Sequence, residues 1–530
     1  MQPVPLPAPY AGVDDRTPVL ALQPPFCENL FNFNVVREGC SLRKGDSKYY
    51  SIPSPYFSEA LIPYGDTKLF LVTTNVNTGF LVILDVDLGS VVYTSPDFSG
   101  AIADTLYFNK YLFVFDPALA ARGAAYNGTT WGALGYTGDG VNPFSLTGGA
   151  VYNHRAYMIA QGEPAYWYSG IDAITGTTTR VNLATVVADS CYLTNIAQIT
   201  IADSVAAENL LAFVFSNGEV LFYKGSYPDS ADWSIVGTAK VGSPLNLNST
   251  IPYQGDALLP CDTGLISLRD LFLKGAEGAD SLSVNSRIQS TWQTLVQNLR
   301  VSANVPVGPI IAAYFYVRGV WDSKTGRIII SFPGYIDPAN PSDITRGSFY
   351  FVFNTSPLLQ SWCFQRSFGP VSDDVTLNGI CLYKNKVLTL ATNTNGPAGG
   401  MIYVKEGATG FMDRKSDDSG DVGYDYNITS APLSNGRAYI QKVEGMDVIL
   451  NSDLYAQTSY KLIKDLGVAE TSSQILSGVN ADSLQKPFVN LGIEGSYVQY
   501  KISGTTVTGK TTGLVLYGTN VWIEKGKSPR

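Results

Sequence analysis

The side chains that most often do chemistry in proteins are sparse in this sequence. His154 is the only histidine among 530 residues, and it lies in the strand-like segment VYNHRAYMIA. One imidazole cannot build a histidine-rich metal site, and most catalytic triads and dyads need a histidine as their base. We therefore expect His154 to have a structural or surface role.

The six cysteines indicate neither a metal site nor a disulfide framework. No two of them have CxxC spacing, and six cysteines in 530 residues are too dilute for a disulfide scaffold. We expect reduced and mostly buried thiols. The positions are Cys27, Cys40, Cys191, Cys261, Cys363 and Cys381.

Motifs with a known mechanism are absent from the sequence. It contains no P-loop, dinucleotide fingerprint, GxSxG elbow, HExxH or kinase signature. The segment Ser230–Trp233 lacks the spacing of the Asp-box turns of propeller sialidases. The sequence leaves open whether two carboxylates pair for glycoside hydrolysis, because the distance between them depends on the fold. Tyr166–Tyr168 could stack on sugars, but we prefer packing inside a sheet.

A polar, acidic segment at 404–424 has a superficial likeness to a calcium loop. With Gly420 at the sixth position, Lys415 would stand first and no glutamate would stand twelfth. This pattern excludes an EF-hand and leaves an irregular metal site open. We predict no enzyme and assign no catalytic, cofactor-binding or metal-ligating residues.

The formal net charge of −9 is concentrated in the middle of the chain. Residues 1–64 carry 5 basic and 6 acidic side chains, and residues 425–530 carry 10 basic and 9 acidic. The acidic excess therefore lies in residues 65–424. Such a surface does not attract nucleic-acid phosphates, because binding them needs Lys and Arg. We therefore expect DNA that meets this protein to slide past without being held. The negative charge is equally what the solubility of an ordinary protein requires.

The sequence does not predict a membrane protein. The start, MQPVPLPAPY, lacks the basic and apolar regions of a secretory signal, and the apolar run Ile310–Val317 is too short to span a bilayer. We expect a soluble protein made in a cytoplasm, without stable membrane insertion. Sequons at Asn248 and Asn427 would carry glycans only if the chain were secreted.

The elements that must position any functional residue repeat along the chain. The clearest unit, residues 211–245, has two apolar runs joined at Asn217–Gly218, then a Gly/Pro turn and a strand after Trp233. Similar strand pairs recur at intervals close to those of propeller blades. They are 69–72 with 79–84, 105–108 with 111–115, 149–152 with 155–160, 211–215 with 219–224, 257–259 with 264–268, 319–322 with 327–332, and 380–383 with 386–390.

This repetition predicts an all-β fold with three regions. Residues 1–64 form an extended Pro-rich arm and linking strands, because proline cannot supply central-strand hydrogen bonds. Residues 65–424 form a β-propeller of about seven blades, with six or eight also compatible. One helix near 281–300 is inserted there, with Ser281 or Ser283 as its cap. Residues 425–530 form an antiparallel β-sandwich.

Several stretches resemble one family of phage proteins. These are Leu6–Pro9 with Asn29–Phe31 and Leu42–Gly45, the hairpin at Asn217–Glu219 with Gly225–Ser226, Trp233 and Val241–Leu245, and Met401–Tyr403 before the acidic loop. They resemble the tail nozzle or tail hub proteins of short-tailed bacteriophages (podoviruses), some of the packaged-DNA stabilisation type. Tyr10–Gly12 departs from the Gly-Gly-Trp-type turn expected there, which affects the choice of subfamily.

The resemblance implies a structural virion protein. It would form a homohexameric ring below the portal and the head-to-tail adaptor protein, in a tail assembled in the bacterial cytoplasm. Tail fibre or tailspike proteins and a tail needle or plug would be its other partners. Double-stranded DNA would pass through the channel without sequence-specific binding. The alternatives are a host-surface glycan-binding or glycan-cleaving β-propeller and a secreted scaffold protein.

Overall fold

The computed structural model describes most of the chain. The residues outside the description are 1, 37–38, 99–103, 116–122, 139–145, 161, 189, 203–206, 276–283, 304–316, 333–348, 357–359, 367–374, 394–398, 409–412, 415–420, 433–440, 453–457, 465–468, 471–473, 476–487, 496–497, 507–513 and 526–530. The described residues are mainly β-strands, with two α-helices and two short 3-10 turns at Val19–Ala21 and Ser286–Ile288.

The strands are numbered here in chain order. The N-terminal strands are β1 (Gln2–Pro7), β2 (Gly12–Val13), β3 (Phe26–Phe31), β4 (Phe33–Val36), β5 (Gly39–Leu42) and β6 (Ser47–Ile52). The middle strands are β7 (Tyr56–Tyr64), β8 (Lys68–Asn75), β9 (Phe80–Asp85), β10 (Ser90–Phe98), β11 (Asp104–Phe108), β12 (Tyr111–Phe115), β13 (Ala124–Tyr126), β14 (Trp131–Ala133), β15 (Tyr136–Thr137), β16 (Leu146–Tyr152), β17 (Arg155–Ala160), β18 (Ala165–Tyr168), β19 (Gly176–Thr177), β20 (Thr179–Asn182), β21 (Leu193–Ala202), β22 (Ala207–Phe215), β23 (Glu219–Lys224), β24 (Ser234–Lys240), β25 (Ile251–Tyr253), β26 (Asp256–Cys261), β27 (Gly264–Ser267), β28 (Arg318–Asp322), β29 (Arg327–Phe332), β30 (Phe349–Asn354), β31 (Trp362–Arg366), β32 (Val375–Tyr383), β33 (Lys386–Asn393) and β34 (Gly400–Val404).

The remaining strands follow β34 in the chain, and the two helices lie between strands of the middle group. The strands are β35 (Asp413–Arg414), β36 (Asp421–Val422), β37 (Asp425–Ser430), β38 (Gln441–Ser452), β39 (Thr458–Lys464), β40 (Ala469–Glu470), β41 (Gln474–Ile475), β42 (Phe488–Gly495), β43 (Val498–Thr505) and β44 (Leu514–Lys525). The helices are α1 (Leu268–Lys274) and α2 (Gln289–Ala303).

The middle strands form successive antiparallel sheets of three or four strands. The strand orders are β10-β9-β8-β7, β11-β12-β13-β14, β16-β17-β18-β20, β21-β22-β23-β24, β25-β26-β27 and β32-β33-β34-β6, and β28-β29-β30-β31 begins a larger sheet. Every strand pair expected from the sequence is present as a hairpin in these sheets. The prediction of an all-β repeat in this region is therefore confirmed.

A shared turn joins the first two strands of several sheets. Two consecutive residues have positive φ at Asn109–Lys110, Asn153–His154, Gln254–Gly255 and Lys384–Asn385. This conformation defines the two-residue type I′ turn, whose twist matches that of the paired strands. The repeat is thus stronger in the backbone than in residue types, since only some of these positions are Asn or Gly.

The sheets pack side by side in a closed ring. Separate clusters of buried apolar side chains fill the space between neighbouring sheets along the chain. A further cluster joins the first sheet to the last, with Leu69 and Leu71 of β8 packed with Leu388 and Leu390 of β33. Each fully buried side chain of this size contributes about 1.5–3 kcal/mol. This ring of radially arranged sheets is a β-propeller.

Strand β6 completes the last sheet of the ring. It pairs antiparallel with β34, from Ile52 opposite Gly400 to Ser47 opposite Val404. The last sheet therefore combines three strands from residues 375–404 with one from the N-terminal region. The two ends of the propeller sequence are held together by backbone hydrogen bonds as well as by side-chain packing.

The Pro-rich N-terminal residues form an extended strand that pairs within the chain. Strand β1 pairs with β44, from Gln2 opposite Ile523 to Pro7 opposite Gly518. Successive residues of a strand direct their N–H groups to opposite sides. Pro3, Pro5 and Pro7 therefore lack N–H groups on one side only, and the intervening residues can still donate to β44. A Pro-rich segment is compatible with such an edge strand.

Two larger sheets unite the N-terminal and C-terminal strands. One has the order β4-β5-β44-β38-β42, with β1 also paired to β44. In the other, β3 lies between β31 of the propeller and β37, followed by β43, β39 and β40. The strands of residues 425–530 therefore share both large sheets with strands of residues 1–64. The long strand β38 pairs with both β44 and β42 in the first of these sheets.

The predicted helix is present but begins later than expected. The 3-10 turn Ser286–Ile288 leads into α2, and Ile288, Trp292, Leu295 and Val296 are buried. Ser281 and Ser283, the expected caps, lie outside the described residues. The carboxylate of Asp15 accepts hydrogen bonds from the backbone N–H groups of α2, and sequence spacing could not reveal this distant partner.

Helix α2 packs between two propeller sheets. The Trp292 indole donates to the Cys261 carbonyl at 2.9 Å and contacts Phe332 and Phe351. The short helix α1 was not predicted, and the Ser267 side chain caps it by accepting from the Asp270 N–H.

Candidate functional site: an axial cavity and a buried ionic cluster

The inner strands of the propeller surround one cavity of about 410 Å³. Its wall includes residues from β7, β11, β16, β21, β26, β28 and β32, which belong to different sheets around the ring. The ionisable side chains of this wall are Glu59, Asp104, Asp256, Arg318 and Cys381. The cavity is therefore a polar space on the propeller axis with more carboxylates than cations.

Asp104 is the cavity residue with the most unusual ionisation. It begins strand β11 and is partly buried. Burial raises the pKa of Asp104 to about 7, while Arg318 and the backbone N–H groups of Thr105 and Gly149 oppose this increase. Removing a carboxylate from water disfavours its charged form. Asp104 therefore changes its charge near neutral pH, unlike an ordinary aspartate.

The other carboxylates of the wall already have hydrogen-bond donors within the chain. Glu59 accepts from the Thr74 hydroxyl. Asp256 accepts from the Ser267 hydroxyl at 2.5 Å and from the backbone N–H groups of Ala257 and Arg269 at 2.7 and 2.9 Å. Burial raises the pKa of Asp256 against these donors. Arg318 donates to the Asn248 carbonyl at 3.4 Å.

The ionisation of Asp104 makes propeller stability depend on pH. An unfolded aspartate has a pKa near 3.9, so the raised folded value stabilises the protein fully at low pH, and this contribution is lost as pH rises through about 7. We expect Asp104→Asn to raise the free energy of unfolding at pH 8 by about 2–4 kcal/mol. At pH 4 the gain should be close to zero. Chemical denaturation at both pH values measures this difference, and an equal effect at both would contradict the account.

A second group of ionised side chains is buried where the N-terminal strands meet the propeller. We call Arg43, Asp46, Lys405 and Asp413 the ionic cluster. Arg43 binds both carboxylate oxygens of Asp413, at 2.9 and 2.6 Å. Asp46 lies 3.5 Å from Arg43 and 3.4 Å from Lys405. All four are buried.

Each buried charge of this cluster has a side chain of opposite charge beside it. Burial alone would lower the pKa of Arg43, but Asp413 and Asp46 more than compensate and raise it. Burial lowers the pKa of Lys405, although Asp46 opposes this effect. The Arg43 guanidinium also stacks 3.9 Å from the centre of the Tyr424 ring. Paired and hydrogen-bonded charges of this kind are tolerated in an interior, whereas a single unpaired charge is not.

The ionic cluster joins segments that are far apart in the sequence. Arg43 and Asp46 lie between β5 and β6, Lys405 follows β34, and Asp413 begins β35. The cluster therefore fixes the path along which the chain leaves the sheet shared with the C-terminal region and enters the propeller. This arrangement is structural, because its polar groups are directed at one another.

The residues singled out from the sequence are separated in the structure. His154 lies in the exposed turn between β16 and β17, with Nδ1 3.4 Å from an Asp172 carboxylate oxygen. The Tyr166–Tyr168 triplet is buried, as preferred above. All six cysteines are buried and none forms a disulfide, and burial raises the pKa of Cys381 to about 12. Asn248 is buried and donates to the Thr147 carbonyl at 2.5 Å, which leaves no room for a glycan.

Neither a metal-binding cluster nor a membrane-spanning helix is present in the described part of the chain. No group of three or more His, Cys, Asp or Glu side chains in this part of the chain could hold a metal ion. Most of the acidic loop at 404–424 lies outside the description. Among the described helices, none is long and apolar enough to cross a membrane.

The sequence matches no protein-family model and no characterised protein. Similar solved structures include the β-propeller domain of Myceliophteria thermophila Cps50 (Swd1), with 11% identity, coverage of 68% of this chain and 99% of that one, and a TM-score of 0.39. Chaetomium thermophilum Raptor has 8% identity, 68% and 29% coverage and a TM-score of 0.38. The computationally designed Ika8 protein has 8% identity, 68% and 99% coverage and a TM-score of 0.34. The propeller assignment rests on the strand order and packing of the chain itself.

Proposed function

We propose that this chain is a structural virion protein, the tail nozzle or hub of a short-tailed phage. The observation that carries the proposal is the location of the residues that resemble that family. Asn29–Phe31 lies in β3, which joins the propeller to the C-terminal strands. Leu42–Gly45 contains Arg43 of the ionic cluster. The resemblance thus involves residues that hold the two regions together, as expected of a protein whose function is mechanical.

We further propose that the propeller has seven blades and that the C-terminal strands form a sandwich. The blade count takes β25-β26-β27 as one blade and β28-β29-β30-β31 as another. For the sandwich, the two large sheets described above share one core with β3 and β4, which contains Leu30 and Phe33 together with Ile502 and Leu516. Two sheets packed through one core are typical of that architecture.

In the proposed assembly, six copies surround an axial channel that continues the DNA path below the portal and adaptor. The cavity inside each propeller has a volume of about 410 Å³. A space of this volume is too small for a DNA duplex, because the major groove of a duplex is by itself about 12 Å wide. DNA would therefore pass between the copies and not through a propeller. An acidic channel wall would let it pass without being held.

The proposal includes the partners that the resemblance implies and assigns no enzymatic activity. The adaptor would bind above the ring, and tail fibres or tailspikes and a needle or plug would bind around and below it. The burial of Tyr166–Tyr168 speaks against the glycan-binding alternative, because these aromatic side chains are not accessible for stacking on sugars. A glycan array and a hydrolysis assay with the purified chain test that alternative, and clear turnover would overturn the proposal.

Native mass measurement tests the oligomeric state most simply. We expect a particle of six copies of the 57.1 kDa chain. A stable monomer, or a ring of another size, would contradict the proposed nozzle.

A further inference from the structure

Strand β22 extends beyond the neighbouring strand on one of its two sides. Its pairing with β21 continues as far as Ala207. Its pairing with β23 ends at Leu211, which lies opposite Tyr223. The chain then turns away from β22 at Gly225, whose φ is +126°. Residues 207–210 of β22 therefore present an edge with which no strand in the described part of the chain pairs.

The backbone groups of this edge point away from β21. The Thr200 N–H of β21 donates to the Gly255 carbonyl at 2.7 Å, so it does not bond to β22. Thr200 lies opposite Asn209, and this pair is therefore a non-hydrogen-bonded pair of the antiparallel ladder. The Asn209 carbonyl accordingly accepts from the Tyr152 hydroxyl at 3.1 Å, on the side away from β21. Two residues earlier, the N–H and C=O groups of Ala207 point to the same side.

This edge forms one wall of a groove with a volume of about 620 Å³. The opposite wall is the turn that follows β23, and hydrogen bonds hold that turn in place. The Asn153 side chain donates to the Gly225 carbonyl at 2.9 Å, and the Ser226 hydroxyl donates to the Asp232 carboxylate at 2.8 Å. The groove thus continues the position of β23, where an added strand would lie about 4.8 Å from β22.

The charged side chains that line the groove carry an excess of one negative charge. They are Glu208, Lys224 and Asp232. Lys224 Nζ lies 2.5 Å from a carboxylate oxygen of Glu208, and both side chains are about half exposed. Hydrogen bonds from Ser226 lower the pKa of Asp232, which is therefore ionised at neutral pH. The groove is complementary to a ligand with a positive charge.

We propose that this groove binds an extended segment of a partner protein, which pairs with residues 207–210 as an added strand and places a lysine or arginine beside Glu208. An unpaired strand edge is a template for such pairing. Backbone hydrogen bonds at Ala207 and Asn209 provide affinity, and the alternating side chains provide specificity. Opposite charges on adjacent strands stabilise the pair. The site lies within one copy of the chain and does not depend on the proposed virion function.

Synthetic peptides and the purified full-length protein test this site. The first probe is a capped, labelled peptide of sequence TVTKTVT, and the second has glutamate in place of lysine. By fluorescence anisotropy, we expect the lysine probe to bind about tenfold more tightly than the glutamate probe. Bound at saturation, it should slow hydrogen exchange in the segment 207–215, which locates the contact.

Two modified probes test whether the contact is strand pairing. A residue opposite Glu208 forms a non-hydrogen-bonded pair, because the N–H and C=O groups of Glu208 point to β21. N-methylation of the lysine should therefore leave binding intact. N-methylation of the two threonines beside it should abolish binding, since their N–H groups would face β22. The inference would be overturned if the lysine probe did not bind, or if the two N-methylated probes bound alike.

Two protein variants test the charge preference. Glu208→Lys should reverse the preference, so that the glutamate probe binds more tightly than the lysine probe. Glu163→Lys is the matched control, because it makes the same change in another exposed ion pair, with Arg180, and it should keep the natural preference. An unchanged preference in Glu208→Lys would contradict the proposal. Protection of the segment 207–215 in the protein alone that disappears on dilution would identify a second copy as the occupant and would also overturn it.

Discussion

Replacing Asp413 by alanine is expected to lower the free energy of unfolding by about 3–5 kcal/mol, because it leaves buried positive charge without its partner. Arg43 donates two hydrogen bonds to the Asp413 carboxylate, and neither side chain is exposed. The same carboxylate accepts from the Asp46 N–H at 2.8 Å. The variant therefore loses an ion pair and a backbone contact together. Denaturant unfolding at pH 7 measures the effect.

Two controls separate this effect from the general cost of losing a carboxylate. Glu208→Ala removes the partner of Lys224 in an exposed pair, and it should cost less than about 1 kcal/mol. In the background of Arg43→Met, the additional cost of Asp413→Ala should fall well below its cost in the natural chain. A cost of Asp413→Ala no larger than that of Glu208→Ala would show that the ionic cluster does not hold the structure together.

A chain that begins at residue 53 is expected not to fold cooperatively. It lacks β6, so β34 loses one of its two partner strands, and the packing between the first and last sheets loses Ile52. It also lacks β3, which lies between β31 and β37 in the larger sheet. The expected result is insoluble protein or the absence of a sharp thermal transition by circular dichroism.

The matched control is a chain that begins at residue 8. It lacks only β1, an edge strand of the sheet that contains β44, and it should keep a cooperative transition. If the chain beginning at residue 53 also folded with a sharp transition, residues 1–52 would be a dispensable arm after all.

The features that could be predicted from the sequence depend on neighbouring residues. The turn at Asn217–Gly218 and the apolar alternation beside it identify a hairpin, and its strands β22 and β23 pair as the local pattern requires. The features that could not be predicted depend on partners far along the chain. The local sequence of β1 predicts only an extended Pro-rich segment, and it does not reveal the partner strand β44, which lies more than 500 residues later.

The same distinction applies to the candidate site. Nothing in the local sequence separates Asp104 from other aspartates, because its raised pKa comes from burial among sheets that fold around it. Arg43 and Asp413 are 370 residues apart, so their pairing has no signal in sequence spacing. By contrast, the scarcity of histidine was visible at once, and His154 lies in an exposed turn away from the cavity.

Electron microscopy of the purified protein tests the central claim most directly, because it shows the number of copies and the channel together. The account predicts rings of six copies with a propeller in each copy and an axial channel wide enough for a DNA duplex. Single propellers, or closed rings without an open axis, would contradict it.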